Sequence, residues 1–522
     1  MDENPPTSLP STSGQSLPTE RLSQDNNRRC RKCILLDISR LLRWKEVNHH
    51  SSLEALERSA GLGCDFCQFI VDCLKIAQAE IAPSRERRVS VRWNSYSYSD
   101  WEYSGQSLYT NAQEWDQPSS ITFTIDQEDF LSIPSSGVHS SEIPDTKVYE
   151  TLLVKVGDLP QMELNLIVSR GDNIYLDTNG KYHSQDARHR VGRYPIDPDL
   201  GSPVNLSIAK GWLDDCRKAH AECRPVKASS LPTRVLDVAV SEGSHTCRLV
   251  ETGNQQGNYV ALSHCWGDKI KECLTTKTLS SFLCSIQIAQ LPANFRDAIH
   301  VTQQLGMRYL WIDALCILQD SKKDWASGSE KMGSIYQNST LTIFAMTSKG
   351  SEEGFLKTAD PPYPSPKILK VFSAADNQTS VLVSGREVEE ENIGMLRLNS
   401  ALSNRGWAFQ EVILSNRSLF FGTQQLYWQC RKGLDSLEGL YPPWGTRGKH
   451  IRVTVPRTDG QPERSDDRSA KSDFYTLASE YSGKALTYSS DKLPAFSGLA
   501  QKFQHVFGGE YLAGLWSNHI HF

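Results

Sequence analysis

An alternation of short apolar runs and amphipathic segments between residues 258 and 355 constrains the fold of this chain more than any other feature. The first run, Tyr259–Ser263 (YVALS), contains no glycine or proline and is typical of a strand buried on both faces. Apolar runs at residues 309–312 and 341–346 follow, and each is preceded by a segment with apolar residues at helical spacing, at residues 291–306 and 324–336. This alternation favours a parallel sheet covered by helices, so we predict an α/β fold with a parallel-sheet core.

Polar and reactive side chains follow the predicted strands. In open parallel sheets, ligands bind beyond the carboxyl ends of the strands. This rule brings residues 263–268, 313–319 and 346–350 to one crevice, and a polar segment at residues 404–411 either joins them or closes the core. The alternative is that most of these residues are core anchors with hydrogen-bonded polar groups. The candidates for a binding crevice are Ser263, His264, Cys265, Trp266, Asp297, Asp313, Cys316, Gln319, Arg405, Trp407, Gln410 and Glu411.

The same segment has the residue types of a hydrolytic triad, with His264 beside Ser263 or Cys265 and Asp313 as the orienting carboxylate. Neighbours along a strand point to opposite faces, however, so His264 cannot easily activate either adjacent residue. The sequence contains no G-x-S-x-G segment, no P-loop and no G-x-G-x-x-G after a strand. A triad is therefore disfavoured, and no standard nucleotide-binding motif is present.

Five segments, taken in order, resemble the heterokaryon incompatibility (HET) domain family of filamentous fungi. They are SHCWG (263–267), LPANFRDAI (291–299), YLWIDALCILQD (309–320), Met-x-x-Ile-Tyr (332–336) and RGWAFQE (405–411). The resemblance covers about residues 212–516. It implies a regulatory module of fungal non-self recognition, which triggers programmed cell death by assembly with itself or with a protein partner. It also implies a core distantly similar to TIR domains, some of which cleave NAD.

One departure from the family pattern bears on NAD cleavage. The resemblance implies a glutamate between Trp325 and Met332, but this chain has Gly328 there. The nearest acid, Glu330, lies about 200° round the helix and faces elsewhere. The departure argues against NAD cleavage, although Asp313, Glu330 and His264 remain candidate catalytic residues for a TIR-like NAD hydrolase. A degenerate, inactive family member is a further alternative.

Two CxxC pairs near the N-terminus are candidate metal ligands. CxxC spacing lets two thiolates reach one ion, and two such pairs complete a tetrahedral zinc site. The four candidates are Cys30, Cys33, Cys64 and Cys67. The segment between the pairs is longer than in most zinc ribbons, so packed free thiols and redox chemistry stay open as alternatives.

A second set of possible ligands occurs in a predicted helix at residues 207–224. Cys216, His220 and Cys223 fall on one face of this helix and would need a fourth ligand from elsewhere, such as Cys247. A buried helix surface is the favoured interpretation of this stripe.

Composition narrows the class of protein. The net charge of −5 does not indicate binding to nucleic acid, and no apolar stretch reaches membrane-spanning length. Thirteen cysteines without a secretory signal favour reduced thiols and a cytoplasmic location. The predicted segments are a disordered tail (1–28), a helical Cys-rich region (29–85), a β-rich accessory region (86–205), a lead-in helix and strands (206–257), the HET core (258–434), a flexible loop (435–470) and a helical C-terminal segment that we expect to be truncated (471–522).

Overall fold

A computed structural model of the chain describes residues 28–36, 46–81, 121–128, 147–156, 162–168, 175–176, 189–220, 223, 230–239, 245–267, 270–359, 365–371, 379–385, 391, 393–439, 467–512 and 514–519. Asp268 lies outside these residues, as do most of the predicted tail and much of the predicted loop at 435–470. The chain divides into two compact units. The first combines Met1–Asp129, Ser140–Gly192 and Pro362–Arg386, and the second combines Phe130–His139, Arg193–Pro361 and Glu387–Phe522.

The described residues form helices and strands throughout both units. The helices are α1 (Arg31–Ile34), α2 (Leu53–Gly61), α3 (Asp65–Ile81), α4 (Pro203–Ala219), α5 (Leu279–Cys284), α6 (Ala293–Gln304), α7 (Asp313–Cys316), α8 (Lys322–Asn338), α9 (Ile393–Asn399), α10 (Gly406–Leu414), α11 (Asp467–Ser482) and α12 (Pro494–Phe507). The strands are β1 (Glu46–Asn48), β2 (Ile121–Glu128), β3 (Lys147–Val156), β4 (Met162–Ile167), β5 (Tyr175–Leu176), β6 (His189–Val191), β7 (Arg234–Asp237), β8 (Thr246–Glu251), β9 (Tyr259–Ser263), β10 (Ile286–Gln287), β11 (Tyr309–Trp311), β12 (Leu341–Ala345), β13 (Lys367–Val371), β14 (Thr379–Gly385), β15 (Arg417–Phe421), β16 (Leu426–Cys430), β17 (Leu434–Ser436), β18 (Tyr511–Leu512) and β19 (Leu515–Trp516).

The first unit contains an eight-stranded sheet and helices α1 to α3. Six strands follow the order β1-β2-β3-β4-β14-β13, and β6 pairs with both β3 and β5. Helix α2 begins at a capped end, because Ser52 Oγ accepts a hydrogen bond from Ala55 N at 3.2 Å. Helix α3 buries one apolar face, which includes Phe66, Phe69 and Ile70.

The second unit is built on a nine-stranded sheet with the order β10-β8-β7-β11-β9-β12-β15-β16-β17. The four central strands, β11, β9, β12 and β15, are parallel. Their order in the chain is second, first, third and fourth, which is the doubly wound arrangement with a switch point between β9 and β12. Antiparallel strands extend the sheet on both sides, through β7 next to β11 and β16 next to β15. The α/β prediction is confirmed, but the sheet is mixed rather than parallel throughout.

The sequence pattern located the central elements within two residues. Strands β9 and β12 are buried at all five positions, as a strand covered on both faces requires. Helix α6 buries Phe295, Ile299 and Thr302 and stops before Gly306, whose φ of 72° is the left-handed conformation that ends many helices.

Helix α10 lies between two apolar clusters. Its sequence alone predicts that Trp407, Phe409 and Ile413 pack on the sheet. In the structure, Phe409 and Ile413 join the cluster formed by helices α11 and α12, while Ala408 and Val412 face Phe344 and Phe420 of the sheet. The helix is apolar on both sides, so its sequence alone does not show which side faces the sheet.

Candidate functional site

The ends of β9 and β11 bring His264 and Asp313 together. These strands are parallel neighbours, so the residues that follow them meet at one edge of the sheet. His264 Nε2 lies 3.4 Å from Asp313 Oδ1. Asp313 Oδ2 accepts a 2.8 Å hydrogen bond from Trp266 Nε1, and Oδ1 accepts one from Ala314 N at 2.7 Å. One carboxylate therefore joins the loop after β9 to the first turn of α7.

Arg405 links this pair to helix α10. Its guanidinium donates a hydrogen bond to the backbone oxygen of His264. The next turn of the helix carries Glu411, which is 5% exposed and lies near Ser263 and Tyr336. The side chains around the strand ends thus form one cluster, which we call the polar cluster: Ser263, His264, Trp266, Asp313, Tyr336, Arg405 and Glu411.

The two carboxyl groups of the polar cluster differ in their pKa values. Burial alone would raise the pKa of Asp313, but His264, Arg405 and the Trp266 hydrogen bond outweigh burial and lower it. Burial raises the pKa of Glu411 to about 7, although Arg405, Ser263 and Tyr336 favour its ionised form. Asp313 is therefore ionised at neutral pH, whereas Glu411 is close to half protonated.

Four members of the polar cluster are buried, whereas Trp266, Asp313 and Arg405 are partly exposed. Ser263 is fully buried, and His264 is 2% exposed. Tyr336 is buried as well and donates a 2.9 Å hydrogen bond to the backbone oxygen of Leu262. The group has the acid–base components of a catalytic site, but its histidine, serine and glutamate lie beneath the surface.

Six predicted crevice residues are not members of the polar cluster. Cys265 packs with the apolar residues on the Phe344 side of the sheet, where its thiol also adjoins Arg405, while His264 contacts Phe295 edge to face. Asp297 accepts hydrogen bonds from the backbone of Phe355 and Leu356 at 2.7 and 3.1 Å. The remaining four are Cys316, which is buried, Gln319, which bonds to the backbone oxygens of Asp313 and Ile317, Trp407, which donates to Asp491, and Gln410, which is buried beside Gly498.

The position where the family resemblance implies a glutamate is filled by a neighbouring side chain. A Cβ atom on Gly328 would lie 2.8 Å from Ile317 Cδ1. Gly328 lines a cavity of about 230 Å³ whose walls include Arg234, Asp324 and Lys331 but none of His264, Asp313 and Glu411. Asp324 is held there by Arg234 at 2.6 and 3.0 Å, and Glu330 is exposed.

The two N-terminal CxxC pairs meet in the first unit. The sulfur of Cys33 lies 3.5 Å from the sulfurs of Cys30, Cys64 and Cys67, and Cys30 and Cys67 are 3.8 Å apart. Zinc–sulfur bonds of about 2.3 Å in a tetrahedral site put the sulfurs about 3.8 Å apart. All four sulfurs lie within 4.8 Å of one another, so together they could hold one zinc ion.

Two histidines that the sequence pattern did not single out adjoin these thiols. His49 Nε2 lies 3.2 Å from Cys33 Sγ, and His50 Nε2 lies 3.3 Å from Cys67 Sγ. Burial lowers the pKa of His49 to about 3, so its imidazole is neutral at physiological pH and able to bind metal. Adjacent histidines between two CxxC pairs are a signal that sequence analysis could have used. Tyr336 was likewise visible in the Met-x-x-Ile-Tyr segment, but not its place in the polar cluster.

None of the helices in the part of the chain that the structure describes has the length and apolar run that a bilayer crossing requires. No curated protein and no solved structure matches the chain.

The polar cluster falls within a recognisable family region. Residues 259–411 match the family model described as Heterokaryon incompatibility protein (HET). The match begins at the first residue of β9 and ends at Glu411 in α10, so it includes every member of the polar cluster. Residues 259–411 of this chain are accordingly similar to the heterokaryon incompatibility (HET) domain family.

Proposed function

We propose that this chain is a cytoplasmic effector of fungal non-self recognition, whose HET domain triggers programmed cell death by assembling with itself or with a protein partner. The family match supports a role connected with heterokaryon incompatibility. The burial of Ser263, His264 and Glu411 is the observation that supports this mode of action. Trp266 bonds to Asp313, and Tyr336 and Arg405 bond to backbone oxygens, so these groups hold the strand-end loops in place rather than present a nucleophile to a substrate.

The surroundings of Gly328 support the same proposal. The glutamate that the family resemblance implies is missing, and Ile317 occupies the space beside the glycine. The nearby acid Asp324 is bound in two contacts to Arg234 and accepts a third hydrogen bond from Leu318 N at 2.7 Å. A carboxylate engaged in this way is poorly placed to attack a ribosyl carbon.

The proposal is tested by inducing the chain in a filamentous fungus and measuring the fraction of cells that take up a vital dye. The unsubstituted chain is expected to kill, and Asp313→Ala is expected to abolish killing because the loop after β9 loses its anchor. Glu330→Gln, a substitution of an exposed acid on α8, is the matched control and is expected to kill normally. Survival of cells that contain folded, assembled unsubstituted protein would instead favour an inactive family member.

A TIR-like NAD hydrolase is the second candidate, and the state of Glu411 is the observation that favours it. A buried carboxyl group with a pKa of about 7 beside an ionised aspartate is typical of acid–base catalysis. Purified chain at high concentration would then consume NAD, and Glu411→Gln would stop consumption while leaving assembly intact. We expect no NAD loss, because His264 and Glu411 are buried and Gly328 replaces the expected glutamate.

For the first unit we propose an accessory role based on one structural zinc ion. The spacing of four thiols at tetrahedral distances supports it, and four protein ligands leave no open position for a substrate. The double substitution Cys64→Ser and Cys67→Ser is expected to remove one zinc ion per chain. Cys73→Ser, which changes a buried cysteine on the same helix outside the group, is expected to remove none. Equal zinc content in the two variants would contradict the assignment.

A further inference from the structure

A second group of metal-ligand side chains lies in the second unit, where the sequence pattern favoured a simple buried helix face. The sulfurs of Cys216, Cys223 and Cys430 and a ring nitrogen of His220 all lie within 4.8 Å of one another. His220 Nδ1 is 3.4 Å from Cys430 Sγ. The fourth member is Cys430 at the end of β16, not Cys247, and nothing in the local sequence links residues 210 positions apart.

The local backbone explains how three members meet on one side. Cys216 lies in the last turn of α4, and His220 is the C-cap residue, whose φ and ψ of −87° and 103° take the chain out of the helix. A 3.1 Å hydrogen bond from Cys223 N to His220 O then closes a turn that brings Cys223 back towards Cys216. The antiparallel pairing of β15 and β16 sets Cys430 opposite Arg417, next to this turn.

A buried guanidinium supplies an independent indication of a ligand. Arg417 is 6% exposed and donates a hydrogen bond to Cys216 Sγ at 3.2 Å, and its other contacts are the backbone oxygens of Thr340 and Cys223. Among the described residues it forms no ion pair with a carboxylate. A buried cation without a counter-charge is costly. Three thiolates and one neutral imidazole on Zn²⁺ carry a net charge of −1, which Arg417 would balance.

We propose that one structural zinc ion fastens α4 to β16 through four ligands, Cys216, His220, Cys223 and Cys430. Thiolate and imidazole ligands in a closed set of four are the donors that structural zinc prefers. Cys216, His220 and Cys223 precede the family match, and Cys430 follows it. The ion therefore links the segments that precede and follow the HET domain, and it holds the lead-in helix α4 on the sheet.

Zinc content per chain of the full-length protein tests this site separately from the N-terminal one. The unsubstituted chain is expected to hold two zinc ions. The double substitution Cys216→Ser and Cys430→Ser is expected to leave one, and its combination with Cys64→Ser and Cys67→Ser none. Cys247→Ser, which changes a buried cysteine on strand β8 of the same sheet, is the control and is expected to keep both. One zinc ion in the unsubstituted chain that is lost only with the N-terminal substitutions would overturn the proposal.

Two further measurements do not require the variant with Cys216→Ser and Cys430→Ser to fold. Cobalt-loaded Cys64→Ser and Cys67→Ser protein is expected to show the visible absorption of tetrahedral Co²⁺ with thiolate ligands, and absence of that spectrum would overturn the site. Arg417→Gln, which removes the counter-charge but no ligand, is expected to weaken zinc retention against a chelator by about 10- to 100-fold. Unchanged retention in this variant would mean that Arg417 does not respond to a metal centre.

Discussion

The indole nitrogen of Trp266 and the carboxylate of Asp313 are joined by a 2.8 Å hydrogen bond between segments 47 residues apart. The bond ties the loop after β9 to the first turn of α7, and the same carboxylate faces His264 and accepts from Ala314 N. Two of the family motifs are thus held together by one side chain. Asp313 therefore helps to fix the shape of the strand-end region.

Replacement of Asp313 by alanine is expected to destabilise the protein by about 2 to 4 kcal/mol, because it removes the acceptor of Trp266 and the partner of His264 in a nearly closed environment. The measurement is urea unfolding at neutral pH. Asp320→Ala provides a matched control, since Asp320 accepts hydrogen bonds from Thr276 on the exposed surface. The control is expected to lower stability much less than Asp313→Ala, because Asp320 is fully exposed to solvent. Equal losses in the two variants would contradict the role of Asp313.

Glu411 is expected to make stability depend on pH. Its pKa rises from 4.5 to about 7 on folding, so between these values the folded chain keeps a proton that the unfolded chain has released. The contribution of Glu411 to the free energy of unfolding is fully present below about pH 4.5 and is lost as the pH rises to 7. The free energy of unfolding falls by about 3 kcal/mol over this range. Glu411→Gln cannot titrate, so the stability of this variant relative to the unsubstituted chain should increase from pH 5 to pH 8. A difference that stays constant over this range would show that Glu411 keeps an ordinary pKa.

Two glycines, Gly333 and Gly498, let the backbones of α8 and α12 come into contact. A Cβ atom on Gly333 would lie 2.9 Å from Gly498 Cα, so Gly333→Ala is expected to push the helices apart at a cost of about 1 to 3 kcal/mol. Gly211 in α4 has no atom within 4 Å of its Cβ position, and Gly211→Ala is expected to stabilise by about 0.5 to 1 kcal/mol. Thermal unfolding of both variants should give shifts of opposite sign. A stabilising effect at Gly333 would contradict the backbone contact.

Two ion pairs of the same length are expected to differ in strength because they differ in burial. Arg234–Asp324 and Lys210–Asp214 both have a shortest N–O distance of 2.6 Å. Asp324→Ala leaves the buried guanidinium of Arg234 without its two-point partner and is expected to cost about 2 to 4 kcal/mol. Asp214→Ala, in the exposed pair, is expected to cost less than about 0.5 kcal/mol. Comparable losses in urea unfolding would show that burial does not decide the outcome.

Local patterns in the sequence were sufficient for the central strands and helices. The unbroken run of β9 and the helical spacing in α6 each have one favourable packing, and the structure has both elements within two residues of the prediction. Helix α10 is different, because apolar residues surround it and either side could face the sheet.

Contacts between residues far apart in the sequence could not be predicted from local patterns alone. The strand-end rule brought His264 and Asp313 together, since it depends only on strand direction. The approach of Cys430 to His220 depends on the antiparallel pairing of β15 and β16 at the far side of the sheet, and no spacing rule encodes that pairing.

Viability and NAD content, followed together in the same induced fungal cells, test the central claim most directly. If the HET domain kills by assembly, viability should fall while the NAD content of cells that are still viable stays at the uninduced level. Asp313→Ala should prevent death, and Glu411→Gln should not. A fall in NAD that precedes death, with both effects abolished by Glu411→Gln, would contradict the account and identify the polar cluster as a catalytic site.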